Sequence, residues 1–348
     1  MSELYKKLLI AVGCIFFCVI IIVSLYAISI RSRSRNNGFE RLFFPHPTSD
    51  IIQLNIYSDS FYISGTTFQN IFLSNYSNPK ELLVIDHDLK KMHRVTLHFP
   101  DSAKVVKQLA TVSIDSPNIY IMEGLSPYIL QGSLSTFDLK NNIQDTFYFN
   151  KGVPISQNSY VLRIFSQKIK SNILAKLNSS FSLNNVQYKL NKQFDGILCT
   201  EGMLHYNKKL GFIVYVYSFQ NKFVCLDTNL NLLYAGRTID TNTQAKIKVA
   251  NLSAKVQTFA APPLYINKQS CIDSKRIFIY SAIRANNEDV YWFDKNSTID
   301  VYSLRDGRYL YSFSIADFNK KKISSFVANS NRLFVLQGHY LSSFQIHF

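Results

Sequence analysis

Residues 284–297, RANNEDVYWFDKNS, hold the densest group of side chains that could do chemistry. The chain's single tryptophan, Trp292, stands between Tyr291 and Phe293, with Glu288, Asp289 and Asp294 close by and Arg284 at the head of the segment. Aromatic rings supply contact area and a face that attracts cations, while carboxylates supply direction. That combination suits recognition of a sugar, a peptide or a cationic group better than it suits bond breaking. The competing reading is structural, with residues 290–293 forming a longer strand packed into a sheet. A second polar and aromatic pair, His339 and Tyr340, lies near the end of the chain. The candidate contact set is therefore Arg284, Glu288, Asp289, Tyr291, Trp292, Asp294, His339 and Tyr340.

Other titratable groups are less promising. Asp86, His87 and Asp88 are consecutive, and adjacent residues of a strand face opposite sides, so the three cannot converge without a bulge. They read as a polar exit from a strand. His93 and His98 are five apart, again on opposite faces, and read as surface residues. No nucleophile elbow, zinc-protease helix, phosphate-binding loop or dinucleotide-binding glycine pattern occurs. Neither a metal nor a cofactor is expected, and no residue is assigned a catalytic role.

The elements that must position the candidate loop follow from a repeat. Two or three alternating apolar residues, then Asp or Ser, then often Leu and a polar turn, recur six times. The copies are LVIDHDLKK, STFDLKNNIQ, SSFSLNNVQ, VCLDTNLNL, DVYSLRDGR and SSFQIHF, anchored at Asp86, Asp138, Ser182, Asp227, Ser303 and Gln345. A period near 45 residues built from short strands and turns indicates a β-propeller. Phenylalanine (27) and tyrosine (21) far outnumber glycine (12), which favours strands over flexible loops. Each anchor is expected to end the third strand of a blade, with its Asp capping the following turn through Asx hydrogen bonds.

The interval between Asp227 and Ser303 is unusually long and reads as one enlarged blade rather than two short ones, giving six blades, with seven as the alternative. The last copy ends at Phe348 after a third strand. Residues 40–44, ERLFF, are placed to supply the missing outer strand and so close the ring, while residues 51–57 are expected to open the first blade. The loop at 284–297, residues 75–80 and residues 337–340 all join second to third strands, so they should share one rim.

The period and the strand signature resemble the propellers of the NHL, TolB and YVTN-like kinds. The resemblance implies an all-β propeller over nearly the whole of residues 39–348 and carries over no functional residue.

Ahead of the repeats, the 23 residues from Leu8 to Ile30 contain no charge. At about 1.5 Å per residue they reach roughly 35 Å, enough to cross a hydrocarbon core of about 30 Å. The run is too long for the core of a cleavable signal peptide, so an uncleaved anchor is expected, preceded by a seven-residue tail and followed by a basic linker at 31–38. Arg31, Arg33 and Arg35 would meet lipid headgroups. Their number slightly favours a cytoplasmic domain, whereas the short tail favours export. Export across the inner membrane of a bacterium, as a single-pass periplasmic protein, is the expectation.

The net charge of +15 is dispersed in turns such as Lys90-Lys91, Lys208-Lys209 and Lys320 to Lys322, so a nucleic acid is not an expected partner. Cys199, Cys225 and Cys271 form no paired framework and read as buried thiols. Two functions remain. The first is a tethered binding module for a protein, peptide or glycan. The alternative is a propeller enzyme, a lyase or cofactor-dependent oxidoreductase, with its site at the channel mouth. An enzyme should converge titratable groups there, yet the segments IIQLNIY, ATVSI, YVLRIF and GILCTE, taken as first strands, are mainly apolar.

Overall fold

The computed structural model describes residues 3–33, 36–45, 48–100, 109–144, 148–178, 183–253 and 256–347. The chain starts with helix α1 (Glu3–Arg33), whose segment Leu9–Ile28 is apolar, exposed along its length and long enough to cross a membrane. Strand β1 (Thr48–Asn55) follows. Blade 1 is β2 (Phe61–Thr66), β3 (Asn70–Asn75), β4 (Glu81–Asp86) and β5 (Met92–Thr96). Blade 2 is β6 (Thr111–Asp115), β7 (Asn118–Glu123), β8 (Tyr128–Ser133) and β9 (Leu139–Gln144). Blade 3 is β10 (Phe149–Ser156), β11 (Ser159–Ser166), β12 (Ser171–Leu177) and β13 (Leu183–Lys189). Blade 4 is β14 (Gly202–Asn207), β15 (Phe212–Tyr217), β16 (Phe223–Leu226) and β17 (Leu232–Gly236). A hairpin of β18 (Val249–Ser253) and β19 (Val256–Phe259) stands outside the blades. Blade 5 is β20 (Asn267–Ile272), β21 (Arg276–Ser281), β22 (Asn296–Ser303) and β23 (Tyr309–Ala316), with a short helix α2 (Val290–Lys295) between its second and third strands. Blade 6 is β24 (Ser325–Asn329), β25 (Arg332–Gln337), β26 (Tyr340–Ile346) and, as its outer strand, β1.

Six antiparallel four-stranded sheets thus form a six-bladed propeller, and the long interval after Asp227 is one enlarged blade carrying the extra hairpin. Middle strands such as FIVYVY of β15 and RLFVLQ of β25 are apolar on both faces because each blade is covered by a neighbour on either side. The core is accordingly divided among the blade interfaces. Between blades 2 and 3, Tyr120, Met122 and Ile129 pack with Tyr160, Leu162 and Ile173. Between blades 6 and 1, Phe334, Leu336 and Leu341 pack with Ile71, Leu73 and Leu83, so apolar burial is continuous across the closure.

The outer strand of blade 6 comes from the N-terminal side, but from β1 and not from residues 40–44. Thr48 pairs with Ile346 and Asn55 with Tyr340. Residues 40–44 lie one blade earlier, where Phe43 bridges to Ser312 of β23. There Arg41 is buried against the carboxylates of Glu288 and Asp300 in blade 5, a pairing that blade 6 does not offer this segment in the structure. Residues 51–57 therefore do not open blade 1, which begins at β2.

Other strand assignments shift in blades 2, 3 and 4. The STFD copy is a turn after β8, not the end of a third strand. In blade 3 the segment YVLRIF, expected as the first strand, lies in the second, β11, and the anchor Ser182 lies outside the described residues. Residues 196–201 form a turn and not the first strand of blade 4, because the Asp195 carboxylate accepts from the amides of Ile197 (2.8 Å), Leu198 (2.5 Å) and Cys199 (2.9 Å).

Turn capping by the repeated Asp is present in blades 1 and 4. Asp86 Oδ1 accepts from the amides of Lys90 and Lys91 at 2.7 and 3.0 Å, and Asp227 Oδ1 from those of Asn229 and Asn231 at 2.8 and 2.9 Å. Cys199, Cys225 and Cys271 are free and buried, and burial pushes the Cys225 thiol up to about 11.

Candidate functional site

Because neighbouring strands alternate in direction, loops joining second to third strands lie on one rim, together with the connections from one blade to the next. The segment at 284–295, His339 and Asp59 share that rim. So do Thr241 and the polypeptide that leads in from α1.

The 284–288 loop is occupied by the chain's own juxtamembrane segment. Asn37 donates from its amide to Asn286 Oδ1 and from its side chain to the Arg284 carbonyl, both at 2.8 Å, while its carbonyl accepts from Thr241 Oγ1 at 2.8 Å. Gly38 turns here with φ +78°, and a Cβ on it would meet Thr241 Cγ2 at 3.2 Å. The Phe39 carbonyl accepts from the Asn286 amide (2.9 Å), and Phe39 itself packs against Ile266, Ile283 and Ala285. Asn287 then exchanges two bonds with the backbone of Arg41, at 3.0 and 2.8 Å.

The Arg41 side chain is fully buried. Its Nε and Nη2 donate to Asp300 at 2.7 and 3.1 Å, and Nη1 donates to Glu288. Each of the two carboxylates accepts further bonds. Thr298 Oγ1 (2.9 Å) and the Ala285 amide (2.7 Å) serve Glu288, and Ser312 Oγ (2.5 Å) serves Asp300. Burial acts to lower the Arg41 pKa, but the neighbouring Asp300 and Glu288 outweigh it and raise it. The cation that Glu288 holds is thus Arg41 of the same chain, whose guanidinium also lies 5.1 Å from the centre of the Phe39 ring.

The candidate residues divide accordingly. Glu288, 4% exposed, belongs to the buried ion group. Arg284 donates to the carbonyls of Ala285 (3.1 Å) and Glu288 (2.5 Å), bracing the loop. Asp289 caps α2, its Oδ1 accepting from the Trp292 amide at 2.9 Å. Residues 290–295 are helical, so neither an irregular loop nor an extended strand describes them. Tyr291 is 73% exposed with Lys295 over its ring, and Asp294 is exposed. Trp292 is 39% exposed and meets the Phe43 ring edge-on at 5.7 Å.

His339 and Tyr340 stand apart from this group, at the junction of blades 6 and 1. His339 Nδ1 pairs with Asp59 at 2.8 Å, Lys321 reaches the same carboxylate at 3.2 Å, and these bonds hold Asp59 below the usual carboxylate range. Tyr340 stacks on His339 (4.5 Å) and against Phe318 (4.8 Å). Asp86, His87 and Asp88 do not converge: Asp86 caps its turn, Asp88 pairs with Arg332 at 2.9 Å, and His87 stacks on Phe334. Among the described residues no cluster of His, Cys, Asp and Glu is arranged to hold a metal ion.

A third group was not legible in the sequence. At the same end of the ring, between blades 3 and 4, Glu201 accepts from the buried Arg163 at 2.8 Å and meets Lys151 at 3.4 Å. Burial would raise the Glu201 pKa, but Arg163 and Lys151 reverse the effect and hold it low. Further along the inner strand β14, His205 bonds Ser270 Oγ at 2.7 Å, and burial with the nearby Lys151 lowers its pKa to about 4. The only sequence signal was a charge set in apolar surroundings, as in YVLRIF.

No family model matches the chain, and no curated protein matches it in sequence. Solved structures match in fold. A member of the DUF4221 family from Bacteroides vulgatus superposes with a TM-score of 0.52 at 13% identity, covering 90% of this chain and 99% of that one. A protein of unknown function from Bacteroides thetaiotaomicron gives 0.52 at 10% identity, over 86% of this chain and 77% of that one. A catalytically inactive virginiamycin B lyase from Staphylococcus aureus, crystallised with quinupristin, gives 0.51 at 7% identity, over 86% and 99%. At such identities the likeness extends to the propeller fold alone.

Proposed function

We propose that this chain is a membrane-tethered binding module whose propeller lies outside the cytoplasm, at the inner membrane of a bacterium, and engages a protein, peptide or glycan through the rim bearing Tyr291, Trp292, Asp294, His339 and Tyr340. The observation that carries this reading is the ordered group at the junction of blades 6 and 1. His339, Asp59, Lys321, Tyr340 and Phe318 place rings, a cation and an anion together at the surface, each held by a neighbour before any partner arrives. Such preorganisation lowers the entropic cost of binding.

Two measurements test the reading. A photo-crosslinker at Tyr340 in cells should give a discrete adduct that weakens on His339→Ala, while one at Phe68 on the opposite rim should not. Protease added to spheroplasts should remove the propeller. Protection from that protease, or absence of an adduct from every rim position, refutes it.

A second reading, an enzyme working at the channel mouth, has the Lys151, Arg163 and Glu201 group in its favour. Glu201 held as an anion between two cations is suited to orienting a polar substrate, and a poor proton acceptor. Lys151→Met should abolish turnover of any substrate found, without unfolding the ring.

A further inference from the structure

The juxtamembrane clasp limits how far the ring can stand from its membrane. Helix α1 ends at Arg33, and Asn37, four positions later, is already bonded to the 284–288 loop. Four residues reach at most about 14 Å even when fully extended. The bonds of Asn37, Phe39 and Arg41 therefore keep this corner of blade 5 within that reach of the end of α1.

The surface next to the clasp has the composition of a membrane interface. Leu42 is 65% exposed, Tyr291 73% and Trp292 39%, on neighbouring parts of one corner. Trp and Tyr concentrate where hydrocarbon meets headgroups, since their rings are apolar with one polar edge, and long cationic side chains reach the phosphates beside them. Lys295 lies over the Tyr291 ring, and Lys246 and Arg237 are exposed on the same rim. The exposed acidic groups at the corner are Glu40, Asp289, engaged in capping α2, and Asp294, whereas Glu288 and Asp300 are buried.

We infer that Leu42, Tyr291 and Trp292 rest in the headgroup layer of the membrane that α1 spans, so that the propeller is held with its blade 5 corner against the lipid. The inference rests on the rim being a contact surface, and it divides that rim. Lipid takes the corner beside the clasp, and a soluble partner is left the His339 and Tyr340 side.

Trp292 is the only tryptophan, so the full-length protein carries its own reporter. In phosphatidylcholine and phosphatidylglycerol vesicles, lipids brominated near the headgroup should quench Trp292 several-fold more than aqueous iodide does. Moving the reporter, by Trp292→Phe with Phe68→Trp on the opposite rim, should reverse that order. Phe68 is 90% exposed, so the exchange leaves the core untouched. Free quenching of Trp292 by iodide with no effect of brominated lipid overturns the inference. Equal lipid quenching of both reporters overturns a fixed corner, and protection from both quenchers would place a second copy of the chain on Trp292 instead. No partner is present, so the outcome is independent of the crosslinking test at Tyr340.

Discussion

Replacing Arg41 by methionine removes the charge and keeps an unbranched apolar side chain of similar reach. In the native protein Arg41, Glu288 and Asp300 have side chains only 0–2% exposed, and the guanidinium makes three hydrogen bonds to the two carboxylates. Without it, two carboxylates remain buried with only hydroxyl and amide donors. Breaking a buried ion group in this way costs about 3–5 kcal/mol. The strain need not unfold the ring, because residues 36–45 can lift off blade 5 and admit water. The cost should therefore appear as opening of the clasp. Amide exchange at Phe44 and Ser312 reports that event, since the Phe44 amide donates to Ser312 O (2.9 Å) and the Ser312 amide to Leu42 O (2.7 Å). A loss of 3 kcal/mol is roughly a hundredfold in the opening equilibrium, so protection at both amides should fall by about that factor. Adding Glu288→Gln and Asp300→Asn to Arg41→Met should restore part of it, because the stranded charges are then gone. Unchanged protection at both amides in Arg41→Met would refute the view that this ion group holds the juxtamembrane segment in place.

Three further outcomes are expected. The His205 pKa is lowered from 6.5 to about 4 by burial, so the unfolded chain binds more protons between those values, and stability, complete above pH 6.5, should fall by up to about 3 kcal/mol as pH drops to 4. The urea midpoint against pH should flatten in His205→Gln; an identical slope in the variant would exclude His205 as the cause. Trp292→Ala should cost about 1 kcal/mol, the scale of one edge-on ring contact and well below the 3–5 kcal/mol of a core aromatic, as read from the same midpoint. Removing residues 1–35 should leave a closed ring, whereas removing 1–55 takes away β1 and bares β26, so aggregation by light scattering should separate the two forms.

Much of the ring could be read from the chain because a blade's middle strands are covered on both sides. Runs such as FIVYVY and RLFVLQ announce themselves by composition, and the period near 45 residues counts them. Edge strands do not. The alternation of IIQLNIY fits the inner strand of blade 1 as well as the outer strand of blade 6, and what decides between them is pairing with β26, nearly 300 residues away. The turn signature misled in blade 2, where STFD has the pattern of a strand end but folds as the turn itself. At the candidate site, the aromatic and acidic composition of 284–297 was visible and its occupant was not. Arg41 sits in ERLFF, an apolar stretch whose single arginine looks outward-facing until Glu288 and Asp300 are placed around it. Pairings across about 250 residues leave no local trace.

That β1 pairs with β26 also has a meaning in time. The strand that completes blade 6 is synthesised well before its partner β26. At about 5–20 residues per second, the roughly 300 residues between them take about 15–60 s to appear. Throughout that interval β1 is an unpaired edge, open to mispairing with any nascent strand. Because α1 precedes it, an anchored chain would spend that wait at the bilayer. A strand kept on a short leash there is kept away from its copies, and the last step of folding becomes the return of β26 to a fixed point instead of a search in solution.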